Sequence, residues 1–229
     1  MSGHLTLLAS PLGNLGDIST RFISAVTACD IVFAEDTRLT GKLLEHLQIK
    51  KPFKTLNEHT ADSGLAKYVD LLTTGVKAVL ITDAGTPGIS DPGARFVTLC
   101  QEAGIEIDAV PGPSAVTLAL SLSGFYAQRF AFLGFLPRKS GAIRAEFLPF
   151  NESPYTLVLF ESPFRVDALI EAAGEALGDR QVAYCRELTK LHQQVLRTSL
   201  LQVPTVDAMP RKGEFTIVIE GHRRGRTME

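Results

Sequence analysis

No uninterrupted apolar run in the 229-residue sequence reaches the ~18 residues that a bilayer-spanning helix requires, and the opening MSGHLTLLAS has no basic n-region. Both absences predict a cytoplasmic protein with no membrane partner. Cysteine is scarce: Cys29, Cys100 and Cys185 are odd in number and too far apart for a metal knuckle or a CxxC redox pair. They read as reduced, buried, small apolar residues. Charge of one sign is also missing, with 23 Lys and Arg against 25 Asp and Glu and a net charge of −2. Non-specific coating of nucleic acid or anionic membrane requires a strongly basic surface, so that class is excluded. There is no GxGxxG after the first strand, no GxxxxGK[ST], no HExxH and no GxSxG. Sequence support for a dinucleotide dehydrogenase, a P-loop NTPase, a zincin or an α/β-hydrolase is therefore absent. His59, His192 and the other histidines lack metal-ligand spacing, and no metal is expected.

What is present is a chain 45% hydrophobic and 21% charged, with 19 Gly and 12 Pro, able to bury a sizeable core in one large domain or two smaller ones. Residues 1–112 carry 9 Lys and Arg against 13 Asp and Glu, while residues 113–229 carry 14 against 12. Any polyanion contact is expected in the second half, including the tail residues Arg223, Arg224 and Arg226.

The first half alternates short apolar runs with segments of helical period, which predicts βαβ units around a mainly parallel sheet. Strands are expected at 4–9, 30–34, 76–82 and 105–110, with a weaker one at 53–57. Ser19 or Thr20 is placed to cap a helix carrying Phe22, Ile23, Val26 and Ala28, and the segment after Thr37 puts Leu39, Leu43, Leu44 and Leu47 on one face. At AVPGPSAV (109–116) two prolines stop any regular element from running through, and Ser114 is placed to cap the apolar helix that follows. The domain junction is set here, giving domains 1–112 and 113–229. The second half reads as strands 130–136, 155–160, 181–186, 193–199 and 214–220, with helices at 140–150 and 164–177 and a short helical piece near 202–209. Strands that follow strands predict a mixed sheet.

In open α/β folds ligands lie beyond the carboxyl ends of the strands, so the residues after each strand are the informative ones. Here they read SPLGNLGD (10–17), EDTR (35–38), DAGTPGISDPG (83–93), PGPSA (111–115) and ESPFR (161–165). Gly removes the Cβ barrier and Pro fixes the turn, so loops this rich in both let main chain approach a small polar ligand. One such loop is no more than a tight turn; five at five strand ends point to a site.

These loops, with GFLPRK and RELTKLH, stand in an order that resembles the bacterial small-subunit ribosomal RNA cytidine 2′-O-methyltransferases of the tetrapyrrole methylase superfamily, over residues 4–221. The resemblance implies two α/β domains, a mainly parallel N-terminal sheet and a mixed C-terminal one, with S-adenosylmethionine bound in a cleft between them and a homodimer as the working form. It places Pro11, Gly85, Thr86, Ile89, Ser114 and Ala115 at the cofactor, together with Phe160, Leu188 and Glu214 from the second domain. It implies ribosomal RNA, within the small subunit, as partner. Family members commonly read TPIGN, ESPHR and ELTKxxE, where this chain has Ser10, Leu12, Phe164 and Gln193.

Methyl transfer to a ribose hydroxyl needs positioning and one modest base. Lys190 in RELTK, with its pKa lowered by burial or by neighbouring Arg186, is expected to take or orient that proton while Glu187 holds the geometry; a surface ion-pair cluster is the other reading of the same residues. Arg38, beside Glu35 and Asp36, is placed to grip a phosphate or to order the active-site floor. His59, Ser90 and Asp91 are candidates for contacting the nucleotide. Carbon methylation of a tetrapyrrole is the alternative inside the superfamily, and a ribosome-assembly factor without turnover the alternative outside it.

Overall fold

Strands apolar on both faces build the first of two compact units into which the chain divides in the computed structural model, one up to Ser114 and one from Ala115 onward; residues 3–223 are described. The first unit runs β1 (His4–Leu8), α1 (Thr20–Ala28), β2 (Ile31–Ala34), α2 (Thr37–His46), β3 (Phe53–Thr55), α3 (Asp62–Thr73), β4 (Lys77–Ile81), α4 (Ala94–Glu102) and β5 (Glu106–Val110). All its pairings are parallel, in the order β3-β2-β4-β1-β5. A parallel sheet has both faces covered, which is why all four residues of β2 and four of the five in β4 are buried. Alternation sends Phe33 and Leu80 to one face, against Leu72 of α3 and Phe96 of α4. Val32, Val79 and Ile81 face the other way, against Phe22 and Val26 of α1 and Leu44 of α2. Each such side chain contributes roughly 1.5–3 kcal/mol on burial.

Ser19 caps α1 by accepting from the Phe22 N–H at 3.1 Å, and Asp36 caps α2 by accepting from the Arg38 N–H at 2.8 Å. The apolar stripes are narrower than the sequence suggests. Ile23, Ala28 and Leu39 are exposed, because successive helical residues turn by ~100° and these three fall off the arc set by Phe22 and Val26 in α1 and by Thr40 and Leu44 in α2.

The second unit holds α5 (Ala115–Ser123), β6 (Phe130–Phe135), α6 (Ser140–Phe147), β7 (Thr156–Glu161), α7 (Val166–Leu177), β8 (Gln181–Arg186), β9 (Gln194–Ser199) and β10 (Phe215–Ile219). Its sheet runs β6-β7-β10-β8-β9; β6 and β7 are parallel, and β10 is antiparallel to both β7 and β8. The mixed sheet carries α5 on one face, through Val116, Ala119 and Leu120, and α6 and α7 on the other. Two expectations change. Residues 202–209 form a turn, closed by Met209 N–H donating to Thr205 at 3.0 Å, because Pro204 and Pro210 bracket too short a stretch for a helix. The helix expected over 140–150 ends at Phe147, and Pro149 sits in a following 3-10 turn. Among the described residues no helix is long and apolar enough to cross a membrane.

Candidate functional site

In the first unit, α1 after β1 and α4 after β4 lie on opposite faces of the sheet, so the loops leaving these neighbouring strands diverge at the topological switch point. A two-bond bridge ties them together: the Ser10 N–H donates to Gly85 at 2.8 Å and the Gly85 N–H to Ser10 at 3.0 Å. The Ser10 hydroxyl donates to the Thr82 carbonyl at 2.7 Å, and the Thr86 hydroxyl to the Pro113 carbonyl at 3.3 Å. These contacts bring together Pro11, Gly85 and Thr86, with Ser114 next in chain to Pro113, four of the residues expected at the cofactor. Main chain dominates the cradle. Gly85 has φ 77°, which favours glycine, and a Cβ on Gly112 would stand 3.0 Å from the Ala9 Cβ. Ile89, an apolar side chain 46% exposed, edges the same loop. Exposed main chain beside an exposed aliphatic group suits a ligand that is part polar and part apolar, as a nucleoside is.

Next to this cradle the unit is acidic. The Asp83 N–H donates to Glu35 at 3.2 Å, and Asp83 in turn accepts from the Asp36 N–H at 3.1 Å. Burial pushes both carboxyls up, reinforced at Glu35 by the charge of Asp83 and at Asp83 by that of Asp36. Asp91 lines a cavity of about 350 Å³ with Asn57, Glu58 and Thr60. Burial, reinforced by Glu35, Asp83 and Glu58, pushes its carboxyl up to about 7. Ser90, just before it, is held at φ 62°, and His59 is exposed in the turn between the lining residues Glu58 and Thr60, its backbone N–H donating to Asn57 at 3.0 Å. Arg38 flanks this cluster. Its guanidinium makes two bonds to Asp36, at 3.1 and 2.6 Å, and this pairing draws the Asp36 carboxyl down to about 2. An arginine so engaged orders the loop through Nε and Nη2, while its side chain stays 86% exposed.

In the second unit, pairing of β10 with β8 sets Glu214 beside Glu187, whose N–H donates to the Glu214 carbonyl at 2.9 Å. The Lys190 ammonium donates to Glu187 and to Glu214, each at 3.0 Å, and Glu187 also accepts from the Glu214 N–H at 2.9 Å. Burial works to lower the Lys190 pKa, but the two carboxylates outweigh it, and the net direction is up. This corrects the expected depression: Arg186 spends its guanidinium on the Lys212 and His192 carbonyls, at 2.6 and 3.1 Å, and leaves the ammonium to the acids. The segment is strained, with Glu187 at φ 50° and the β-branched Thr189 at φ 64°. Leu188 is buried in the core under α5, so its main chain is the part open to a ligand. Phe160 is half-buried, edge-on to Phe132 at 4.9 Å. Arg223 pairs with Glu220 at 2.7 Å and lies over Tyr126; Arg224 and Arg226 fall outside the described residues.

Asp83 and the carboxyl cluster around it are what sequence reasoning missed. The signal was four acids in EDTR and DAGTPGISD at the exits of β2 and β4, which the parallel sheet makes neighbours.

The family model for Tetrapyrrole (Corrin/Porphyrin) Methylases matches residues 4–204. A Mycobacterium tuberculosis protein named ribosomal RNA small subunit methyltransferase I is 42% identical over 223 residues, 96% of this chain and 78% of its own length. The protein of that name from Thermotoga maritima is 40% identical over 221 residues, 96% of this chain and 99% of its own. The crystal structure of uroporphyrin-III-C-methyltransferase from Thermus thermophilus superposes with a TM-score of 0.65 at 18% identity, covering 95% of this chain and 94% of that one, a likeness of fold.

Proposed function

The chain belongs to the tetrapyrrole methylase family, and on that premise we propose that it is an S-adenosylmethionine-dependent methyltransferase of small-subunit ribosomal RNA, acting on the 2′-oxygen of a cytidine ribose. What carries the reading is identity of 42% and 40%, over 96% of the chain, to proteins named for methylation of that RNA. In this reading the first unit contributes Pro11, Gly85, Thr86, Ile89 and Ser114 to the cofactor, and the second Ala115, Phe160, Glu214 and the main chain of Leu188. The working form is a homodimer in the cytoplasm, with the assembled small subunit as substrate.

When bound, S-adenosylmethionine supplies a methyl carbon on a sulfonium, already a strong electrophile. The protein has to place the ribose hydroxyl and see its proton removed; placement alone is worth ~7–11 kcal/mol and a base ~10²–10⁴-fold. Lys190 suits the first task. Its ammonium has three donors, two of them spent on Glu187 and Glu214, and the third is free to hold the hydroxyl oxygen. Glu187, fixed by the Glu214 N–H, sets the direction of that donor. A lysine held charged by two carboxylates is a poor proton acceptor, so its part is to orient the hydroxyl, and Asp91, in the first unit, is a contact for the nucleotide. Arg38 acts indirectly, by fixing Asp36 and the loop that bears Glu35.

The test incubates the protein and methyl-labelled S-adenosylmethionine with small subunits from cells lacking the modification, then digests the RNA to nucleosides. Label in 2′-O-methylcytidine is expected. Label in another nucleoside corrects the acceptor, and label on a porphyrinoid alone overturns the reading.

A further inference from the structure

The edge of the second unit that carries Lys190, Glu187 and Glu214 also carries side chains to which the roles above give no part. β6, β7 and β8 end at one edge of its sheet, where β9 and β10 begin, because β10 runs against β7 and β8 and β9 against β8. Two arginines knit the four loops at that edge. Arg165 donates to the Leu136 and Pro137 carbonyls at 2.9 and 2.7 Å and pairs with the buried Glu161 at 3.2 Å, which fixes the loop after β6 to the loop after β7. Arg186, through its bonds to Lys212 and His192, fixes the approach to β10 to the loop after β8.

On this scaffold stand the two most exposed large apolar side chains among the described residues, Phe164 at 92% and Leu191 at 93%. Neither packs on a neighbour. Around them Arg138, Lys139, His192 and Lys212 are exposed. Of the acids at the same edge, Glu161 is neutralised by Arg165, while Glu187 and Glu214 share the single charge of Lys190, which leaves one negative charge against the four exposed basic side chains. The corresponding edge of the first unit has the opposite character, with Glu35, Asp36 and Asp83 at the exits of β2 and β4. Between the exits of β6 and β8 lie three strand spacings, about 14 Å, enough for a short single-stranded segment.

An exposed aromatic among unpaired cations, on loops braced from behind, is how proteins hold single-stranded nucleic acid, with bases on the flat side chains and phosphates on the charges. We infer that the strand-exit edge of the second unit is a single-strand RNA platform, with Phe164 stacking on a base, Leu191 packing beside it, and Arg138, Lys139 and Lys212 on phosphates. The inference rests on the reading of ribosomal RNA as substrate and adds where that RNA is held.

The test compares wild type with Phe164→Ala, Phe164→Tyr and the triple variant Arg138→Ala/Lys139→Ala/Lys212→Ala. Steady-state methylation is measured across small-subunit concentrations, RNA binding across salt, S-adenosylmethionine binding by calorimetry, and oligomeric state by sedimentation. Loss of one stacked base weakens binding by about five- to 150-fold. Phe164→Ala is expected to raise KM for the subunit by at least about fivefold, with kcat, cofactor affinity and salt slope unchanged, and Phe164→Tyr to restore KM. The triple variant lowers the slope of log K against log salt by about 2, as for three lost contacts to a single strand. No methylation of subunits by wild type overturns the substrate reading and the platform with it. Methylation by wild type with unchanged KM in Phe164→Ala overturns the platform alone, as does a change of oligomeric state in place of the change in RNA binding.

Discussion

Replacing Asp91 by asparagine makes the protein more stable at alkaline pH. Burial first, and then the charges of Glu35, Asp83 and Glu58, carry the Asp91 carboxyl from an ordinary 3.8 to about 7. In the unfolded chain it ionises at the ordinary value, so between about pH 4 and pH 7 the folded protein holds a proton the unfolded chain has released. The stability this group confers falls as pH rises through that window and stays low above it. At about 1.4 kcal/mol per pH unit the full rise corresponds to about 4 kcal/mol. The carboxyl is only half buried, and screening by solvent reduces the figure to about 1–2 kcal/mol. Asp91→Asn keeps the shape and removes the charge. Thermal unfolding followed by circular dichroism is expected to show a Tm advantage for the variant that is near zero at pH 4 and grows to about 2–8 °C at pH 8. Curves of Tm against pH that run parallel for the two proteins would refute the reasoning, because they would mean that Asp91 ionises as it does in the unfolded chain.

Gly112→Ala puts a methyl 3.0 Å from the Ala9 Cβ and 3.3 Å from its carbonyl oxygen, so it should cost about 1–3 kcal/mol in urea unfolding and weaken S-adenosylmethionine binding in calorimetry; unchanged values in both would mean that the loops have slack. Tyr184→Phe removes a buried hydroxyl with no partner among the described residues, and is expected to be neutral or to stabilise by up to about 1 kcal/mol, where a clear loss would reveal a partner. Glu214→Gln leaves Lys190 with Glu187 alone, and NMR titration of the lysine should find its pKa lower than in wild type; an identical value would show that the ion pair does not form in solution. All three cysteines are buried, with thiols pushed up by burial, so a thiol reagent should label them only at the rate of unfolding, and fast labelling of native protein would contradict the packing.

The strands were legible because runs such as IVFA and KAVLI are apolar on both faces and bounded by turn residues, the pattern of a sheet covered on two sides. Helices α3 and α4 are not among those the sequence reading names, since neither opens on a side-chain cap: Ala61 and Gly93 stand where Ser19 and Asp36 cap α1 and α2. The cradle was legible as glycine and proline at strand ends. The raised pKa of Lys190 was not, because Glu214 lies 24 residues along the chain and meets it only through the pairing of β10 with β8. Nor does a hydrophobic pattern separate Phe164 from a core residue; only the start of α7 at Val166 leaves it outside.

The central place of β10 has a consequence during synthesis. It fills the middle of its sheet, all five of its residues are buried, and it is the last strand in chain order among the described residues. At ~5–20 residues per second, a ribosome takes about 1–4 s to go from the end of β9 to the end of β10. For that interval β7 and β8 have no strand between them and present rows of unpaired N–H and C=O groups. The first unit has all five strands by Val110 and meets no such delay. A nascent chain stalled near residue 210 would thus carry one finished unit and one open, adhesive half-sheet, and it is there that a chaperone would bind or a neighbouring polysome product would tangle.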